Sequence, residues 1–526
     1  MLSLIARSAL VVALAAAPIA HAQTLRWASQ GDPQTMDPHS QNESMTNMMN
    51  GQVYEKLVNR DKQLGIVPAL ATEWQQVSPT LWRFKLRPNV RFHDGTPFTA
   101  DDVVFSMERG AAPTSTINQY ATAVGKPRKV DDLTVEFQLA APNPIFLQHL
   151  ETLWIMSKVW CEKNRVTKPL DFKNKEESYA GLNANGTGPY MLVSRAPGIK
   201  TVYKRNPNWW GRFEGNVQEI VYTPIGNDAT RLAALVSGEI DFVLDPAPRD
   251  IARLRNTAGV KIIDGPENRI VFIGMDQFRD KLLYGSVPGD RNPFKDQRVR
   301  RAMYQAIDIE TMKTKLMNGL AVPTGGLTPS PLGSYNDPEI EGRLPYDLAA
   351  ARKLMAEAGF ADGFEVTLDC PNNRYINDEE ICIALAGMWA QLKIKVKVNA
   401  QPRATYFPKL EKQDTSLYML GWGGAITDAE TTFTPVLRNR GEKGVGYWNF
   451  GGVKNDKFDA LAAQSSVEPD AKKREGLIKA ALREYKEQVH VIPLHRQVIP
   501  WAARSNVNAV HRADNWLEVQ WVTVGK

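Results

Sequence analysis

Residues 347–398 read DLAAARKLMAEAGFADGFEVTLDCPNNRYINDEEICIALAGMWAQLKIKVKV, and this stretch indicates the fold class. Asp347 is a typical helix N-cap, and the apolar residues after it recur at helical spacing as far as Gly359, a residue type that ends helices in a left-handed turn. The pattern then predicts three further elements: a strand over 364–368, a helix over 378–392 and a strand over 394–398. Alternating strands and helices indicate mixed α/β layers with a largely parallel sheet.

Similar signals extend over the rest of the chain. Thr99 with Asp102 three residues later has the form of a capping box, which predicts a helix from residue 100. Asp470 predicts the start of another helix, because apolar residues follow it on one stripe from 477 to 485. The chain has no repeat and no low-complexity linker, and its roughly 500 mature residues exceed what one core usually serves. We therefore expect two or three domains connected by several chain crossings.

The first 22 residues have the features of a cleaved signal peptide. Arg7 supplies a positive start, an apolar run covers residues 9–16, and Ala20-His21-Ala22 forms an A-x-A cleavage site. The apolar run is shorter than the ~20 residues that a membrane-spanning helix needs. We expect cleavage after Ala22 and a periplasmic location. No cysteine follows the run, which disfavours a lipid anchor.

Composition and motifs exclude several classes of function. The net charge is only +6 over 526 residues, without a Lys/Arg block, so nucleic-acid binding is not expected. The chain has no G-x-S-x-G, no H-E-x-x-H and no phosphate-binding loop, and its histidines are scattered. We therefore expect neither an enzyme nor a cofactor. A metal site is not expected either, because no Cys/His cluster is present.

Three cysteines leave two interpretations open. An exported protein meets an oxidising compartment, so Cys370 and Cys382 can close a short loop and leave Cys161 unpaired. The alternative is three buried thiols without a disulfide.

A tryptophan between glycines is the most distinctive local feature. Gly421-Trp422-Gly423 directly follows the apolar, strand-like residues 417–420. Such a tryptophan can wall a cleft while the glycines let the backbone approach a ligand. It can equally be packed under a loop.

Six segments in the same order resemble family 5 of the extracellular solute-binding proteins, the dipeptide, oligopeptide, glutathione and nickel binders of ABC importers. They are VPALATEW at 67–74, WRFKLRPNVRFHDGTPFTADD at 82–102, GTGPY at 186–190, RNPNWWG at 205–211, SGEID at 237–241 and DQRVRRAMYQAID at 296–308. Each alone is weak, but six in order over the whole mature chain make chance resemblance negligible.

The resemblance implies a two-lobed periplasmic-binding-protein fold of class II, similar to the dipeptide-binding proteins, with a hinged ligand cleft. The first lobe would combine a discontinuous domain of residues 23–58, 182–275 and 500–526 with an inserted domain of 59–181. Residues 276–499 would form the second lobe. A monomer would deliver a small peptide or peptide-like ligand to membrane permease subunits with cytoplasmic ATPases.

The resemblance also implies ligand contacts. Arg374, in the loop with Tyr375 and Asn377, corresponds to the arginine that holds a peptide carboxylate, since a guanidinium suits a carboxylate. Trp422 and Gly423 would wall the cleft, and Met36 lies where the first loop approaches it.

The family's amine-binding aspartate lies three residues after the motif tryptophan, where this chain has Ala425. Asp428 is the candidate replacement, with a turn or helix cap as its alternative role. A modified or γ-linked peptide, a metal chelate and another small organic anion therefore stay open as cargo, as does a sensory module on the same fold.

Overall fold

A computed structural model describes residues 23–171, 176–328, 337–372, 374–423, 426–442 and 445–525. The predicted signal peptide and Ala425 lie outside these residues. The strands are β1 Thr24–Ser29, β2 Val58–Arg60, β3 Ile66–Pro68, β4 Ala71–Ser78, β5 Leu81–Leu86, β6 Lys126–Asp131, β7 Thr134–Gln138, β8 Tyr190–Ala196, β9 Lys200–Arg205, β10 Glu219–Pro224, β11 Phe242–Val243, β12 Val260–Met275, β13 Gly285–Ser286, β14 Ala321–Pro323, β15 Glu365–Pro371, β16 Lys395–Gln401, β17 Leu417–Gly423, β18 Val491–Arg504, β19 Val507–Asn508 and β20 Thr523–Val524.

The helices alternate with these strands. They are α1 Ser44–Asn50, α2 Ala100–Gly110, α3 Asn118–Ala123, α4 Phe146–Leu150, α5 Lys158–Lys163, α6 Tyr179–Leu182, α7 Asp228–Ser237, α8 Ile251–Arg255, α9 Gln297–Gln305, α10 Ile309–Thr311, α11 Pro338–Glu341, α12 Leu348–Glu357, α13 Asp378–Ala390, α14 Arg403–Glu411, α15 Glu430–Thr432, α16 Asp456–Ser465 and α17 Ala471–Gln488. Two π-helical turns, Met312–Leu316 and Phe433–Leu437, continue α10 and α15.

The predicted local signals are confirmed. Asp347 caps α12 by accepting a hydrogen bond from the backbone N–H of Ala350 (2.9 Å), and Gly359 follows the helix at φ +79°. The backbone N–H of Thr99 donates to the Asp102 carboxylate (2.9 Å) in a capping box. The strand predicted over 364–368 is β15, which starts one residue later and continues to Pro371. Local side-chain chemistry therefore predicts accurately where α2 and α12 begin and where α12 ends. Pairing with neighbouring strands extends β15 beyond the predicted strand.

Most strands join one mixed sheet in the order β13-β15-β17-β12-β18-β11-β1-β10-β9-β8, with β14 on β18 and β16 on β15. The expectation of a largely parallel sheet is wrong. The pairs β1–β10, β1–β11, β15–β16 and β15–β17 are parallel, whereas every other pair in this sheet is antiparallel. The prediction rested on segments where strands and helices alternate. The hairpin β8–β9 and the long strands β12 and β18 lie outside those segments, and they add antiparallel pairs to the sheet.

Strands β12 and β18 connect two lobes. They pair antiparallel from Val260 opposite Arg504 to Gly274 opposite Val491. At one end β18 pairs with β11, and Trp501 lies in the first lobe's core. At the other end Val271 of β12 packs in the second lobe's core. Each strand thus belongs to both lobes, and the two crossings form the connection between them.

A separate antiparallel sheet, β4-β5-β7-β6, lies within the range expected to be the inserted domain of the first lobe. Its core runs from Leu57 to Ile155 and centres on Phe84, Phe137 and Phe146. The domain limits expected from the resemblance stay a prediction.

Cys370 and Cys382 form a disulfide that joins β15 to α13, while Cys161 is a buried thiol. Of the two open interpretations, the structure therefore has the disulfide. It closes the loop that contains residues 374–377.

Within the described ranges, no helix is both long and apolar enough to cross a membrane. The same residues contain no group of three or more His, Cys, Asp or Glu side chains arranged to hold a metal ion.

Candidate functional site

A cavity of about 730 Å³ lies between the two lobes, against the place where β12 and β18 cross. Residues of the first lobe, of the second lobe and of β12 line it together. A space of this size is in the range of small-molecule sites, which often lie at domain interfaces.

The β12 part of the lining is an interruption in the sheet. The register between β12 and β18 shifts between Pro266 and Ile270. Glu267, Asn268 and Arg269 lie in this shift, and all three line the cavity. Because the break releases side chains from regular pairing, the connection between the lobes presents polar groups to the cavity.

The Nε of Arg269 anchors this side chain to the Glu267 carboxylate. Glu267 accepts from this Nε at 3.3 and 3.2 Å, and Gln497 donates to the same carboxylate at 2.9 Å. Burial works against the charge of Arg269, but Glu267 and Tyr375 together more than offset it, and the pKa of Arg269 is raised. Among the described residues, none accepts a hydrogen bond from its two terminal nitrogens. The outer edge of this guanidinium is therefore available to an acceptor in the cavity.

The same network reaches the loop after β15. The side-chain oxygen of Gln497 accepts from the backbone N–H of Ile376 (3.0 Å). The β12 interruption, β18 and this second-lobe loop are thus one connected hydrogen-bonded unit.

Two pairs of tryptophans form opposite walls. On the first lobe, Trp154 and Trp516 stack with ring centroids 6.1 Å apart and planes 6° apart. On the second lobe, Trp422 lies 5.5 Å from Trp448, and its Nε1 donates to the Thr431 carbonyl (2.8 Å). Paired aromatic walls favour an occupant with an apolar or flat body.

Lys56 contributes a charge to the first-lobe wall. Its Nζ lies 4.2 Å from the Trp154 ring centroid and 2.6 Å from the Glu151 carboxylate. Burial lowers the pKa of Lys56, against the opposing effect of Glu151. Since Glu151 also pairs with Arg60 (2.9 Å), this carboxylate is fully used by the protein.

The glycines of the tryptophan motif are needed for close approach. A Cβ on Gly423 would lie 2.0 Å from the Asn268 carbonyl oxygen, and one on Gly421 would lie 2.4 Å from the Tyr375 ring. Gly423 pairs with Arg269 across the strands. The motif therefore brings β17 directly against the interrupted part of β12, where Trp422 and Gly423 line the cavity.

The other residues singled out by sequence lie elsewhere. Tyr375 is buried beneath Gly421 and donates to its carbonyl (3.3 Å). Arg374 lies over the Tyr375 ring at 5.3 Å and is not part of the cavity lining. Asn377 occupies the N-cap position of α13 at φ +54°, without a capping hydrogen bond from its side chain, and donates to the Leu316 carbonyl (3.1 Å).

Met36 and Asp428 are both buried in protein contacts. Met36 has no exposed surface, and its sulfur accepts from the Tyr203 hydroxyl (3.9 Å) inside the first lobe's core. Asp428 pairs with both terminal nitrogens of Arg474 at 2.7 and 2.8 Å and also accepts from the backbone N–H of Glu430 (2.9 Å). Of the two alternative roles considered for Asp428, the turn is thus present, together with an ion pair, whereas Ala429 is the N-cap of α15.

Sequence reasoning missed most of the charged lining: Lys56, Glu151, Glu267, Arg269 and Glu430. None of them belongs to a motif. The one available signal was the high tryptophan content, 13 residues in the chain, but it does not say which of them share a wall.

The lobes also touch at the edge of the cavity. The backbone N–H of Thr427 in the second lobe donates to the Gln148 side chain of the inserted part (3.1 Å). His149, beside it, lines the cavity, and burial lowers the pKa of His149 to about 4.

Comparison with known proteins gives a consistent result. Residues 65–444 match the family model described as bacterial extracellular solute-binding proteins, family 5 Middle. The periplasmic oligopeptide-binding protein OppA of Salmonella typhimurium is 26% identical over 95% of this chain and 93% of its own length. The probable deoxycholate-binding periplasmic protein YgiS of Escherichia coli is also 26% identical, over 91% and 89%.

Among solved structures, the ABC transporter substrate-binding protein CtaP from Listeria monocytogenes superposes with a TM-score of 0.82. It is 20% identical, and the match covers 96% of this chain and all of that one. This likeness confirms the two-lobed fold expected from the sequence.

Proposed function

The chain belongs to the family 5 bacterial extracellular solute-binding proteins, and we propose that it captures a peptide or peptide-like solute between its lobes for an ABC importer. The observation that carries the cargo proposal is the cavity itself. Its walls come from both lobes, and at the connection between them lies the Arg269 guanidinium, whose terminal nitrogens meet no acceptor among the described residues. A solute that contacts both walls stabilises the closed arrangement, which is how binding is coupled to lobe movement.

We propose that the mature protein is a periplasmic monomer, cleaved after Ala22, that hands its solute to membrane permease subunits without any turnover. The names of the relatives support the compartment. The family supports the absence of turnover, because its members are solute-binding proteins.

Native mass spectrometry of protein purified from the periplasm without refolding tests this function. We expect a bound solute, a mature mass that begins at Gln23, and a larger radius of gyration in small-angle scattering after the solute is removed. A protein that retains nothing, binds no member of a peptide library and keeps its radius would contradict the proposal. Conversion of any library peptide would contradict the absence of turnover.

We propose that Arg269 binds a carboxylate of the solute. Arg269→Met is expected to weaken a carboxylate-bearing ligand by about 1.5–3 kcal/mol, roughly 10- to 150-fold in Kd, because a charged hydrogen-bonded pair is lost. Isothermal titration calorimetry against the ligand recovered in the mass spectrometry experiment measures this loss.

Arg374→Ala is the matched comparison. The family resemblance assigns the carboxylate to Arg374, whereas the cavity lining favours Arg269, so the variant with the larger loss identifies the residue that binds it. Unchanged affinity in both variants would mean that no arginine of this region holds a carboxylate.

A second cargo class is favoured by one observation. Tryptophan pairs on both walls suit an organic anion with a broad apolar body as well as a peptide with large side chains. An amphipathic carboxylate recovered in the mass spectrum would replace the peptide while leaving the role of Arg269 unchanged.

A further inference from the structure

A second cavity, of about 260 Å³, lies in the first lobe. Every residue of its lining belongs to the segments 51–69, 154, 189–212 and 516–521. Five of the chain's 13 tryptophans line it: Trp154, Trp209, Trp210, Trp516 and Trp521. Apolar cavities of about 150 Å³ bind benzene, so this one has room for a larger ring system. We call it the tryptophan cavity.

One buried carboxylate holds two of these tryptophans. Glu55 accepts from Trp209 Nε1 at 3.0 Å and from Trp210 Nε1 at 2.8 Å, and the Thr187 hydroxyl donates to it at 2.7 Å. Both indoles are partly exposed. Because their N–H groups are already used, these rings offer a solute apolar surface, which suits a flat body.

The tryptophan cavity shares one wall with the cavity between the lobes. Trp154, Trp516 and Lys56 line both. The two indoles stack with nearly parallel planes, and the Nζ of Lys56 lies 4.2 and 5.0 Å from their ring centroids. All other lining residues belong to one cavity only, so a substitution at Trp521 tests the tryptophan cavity and one at Trp448 tests the cavity between the lobes.

Two guanidinium groups at the tryptophan cavity form no ion pair with any described residue. Arg212 belongs to the lining and is exposed. Arg87 lies over the Trp210 ring, 3.9 Å from its centroid, and its Nε donates to the Ala69 carbonyl (3.0 Å). This side of the cavity therefore carries positive charge.

The other charged side chains of the lining are already bound. Lys56 and Arg60 share Glu151, Glu518 accepts from Arg512, Asp61 accepts from the backbone N–H of Gly65, and Glu55 holds the two indoles. Arg212 is thus the lining cation whose donors remain for an anion, and it is open to solvent.

We propose that the tryptophan cavity is a second binding site, for a flat aromatic solute that carries a carboxylate, with its rings against the tryptophans and its carboxylate at Arg212. A guanidinium and a carboxylate can form two parallel hydrogen bonds. The site lies within one lobe, so its occupation requires no lobe closure. It is independent of the proposed cargo site, and failure of either leaves the other standing.

Isothermal titration calorimetry with indole-3-acetate tests the proposal, on mature protein from which the cargo has been removed. We expect a Kd below about 1 mM and an unchanged radius of gyration in small-angle scattering. Indole-3-acetamide, which has the same rings without the charge, is expected to bind about 10-fold more weakly, because it loses the charged hydrogen bonds to Arg212.

Four variants locate the probe. Trp521→Leu should weaken indole-3-acetate about 10-fold, since stacking surface is lost, whereas Trp448→Leu should leave its affinity unchanged. Arg212→Gln should bind the acetate and the acetamide equally. Arg165→Gln, at an exposed arginine outside both linings, is the matched control and should behave like wild type.

Three results would overturn the assignment. A wild-type Kd above about 1 mM would remove the site. Lost affinity in Trp448→Leu with full affinity in Trp521→Leu, or a smaller radius of gyration with the probe, would place the probe between the lobes. An unchanged preference for the acetate in Arg212→Gln would remove the carboxylate from Arg212. Thermal unfolding shows whether Trp521→Leu folds, and Arg212→Gln, at an exposed side chain, decides the question if it does not.

Discussion

Asp37→Ala is expected to lower the free energy of unfolding by about 3–5 kcal/mol, because it leaves a buried guanidinium without its carboxylate. Arg109 donates to both oxygens of Asp37 at 2.8 and 2.6 Å, and neither side chain has exposed surface. Burial raises the pKa of Asp37, but Arg109 and His39 together lower it further, so the net shift is downward. The pair therefore contributes stability at neutral pH that is lost as the pH falls through the folded-state pKa.

Urea unfolding followed by circular dichroism measures the effect. Asp362→Ala is the matched control, because its partner Lys393 lies at the same kind of distance, 2.9 Å, in an exposed pair. Exposed pairs contribute only about 0–1 kcal/mol. Equal losses in the two variants would contradict the argument from burial.

The second large effect is expected for Asp428→Ala, again about 3–5 kcal/mol, because Arg474 would lose the carboxylate that it meets at 2.7 and 2.8 Å. The backbone N–H of Glu430 would lose its acceptor as well. Thermal unfolding followed by calorimetry measures the loss of stability, and titration of the recovered ligand measures binding separately.

This variant distinguishes two roles for one residue. A structural ion pair predicts a large stability loss for Asp428→Ala and recovery when Arg474 is also replaced in Asp428→Leu, Arg474→Met, since an apolar pair of similar volume often restores stability. An amine-binding aspartate predicts instead a folded variant with normal stability and lost affinity. That second result would return Asp428 to the ligand site.

Local structure followed the sequence closely because its causes are local. Asp347, Thr99 and Gly359 act on backbone groups within four residues, and each is where the pattern indicates. The motif of Trp422 was also informative, because a glycine on either side predicts close approach whatever the partner is.

Contacts between residues that are far apart in the sequence could not be predicted from local patterns. Arg374 lies in the predicted loop, but its side chain faces the Tyr375 ring and not the cavity lining. Met36 was placed near the cleft by its position in the chain, whereas packing against Tyr203 buries it completely. Direction and burial depend on what packs against a residue, and spacing along one segment does not contain that information.

The sequence by itself determined the class of fold, the ends of the main helices, the place of the tryptophan motif and the family. The tertiary structure alone decided the site. It brought Arg269 into a break between two long strands and paired Asp428 with Arg474. The physical reason is that a charged side chain can bind a ligand only through the donors or acceptors that protein groups leave unused, and the segments that supply those protein groups are brought together only by folding.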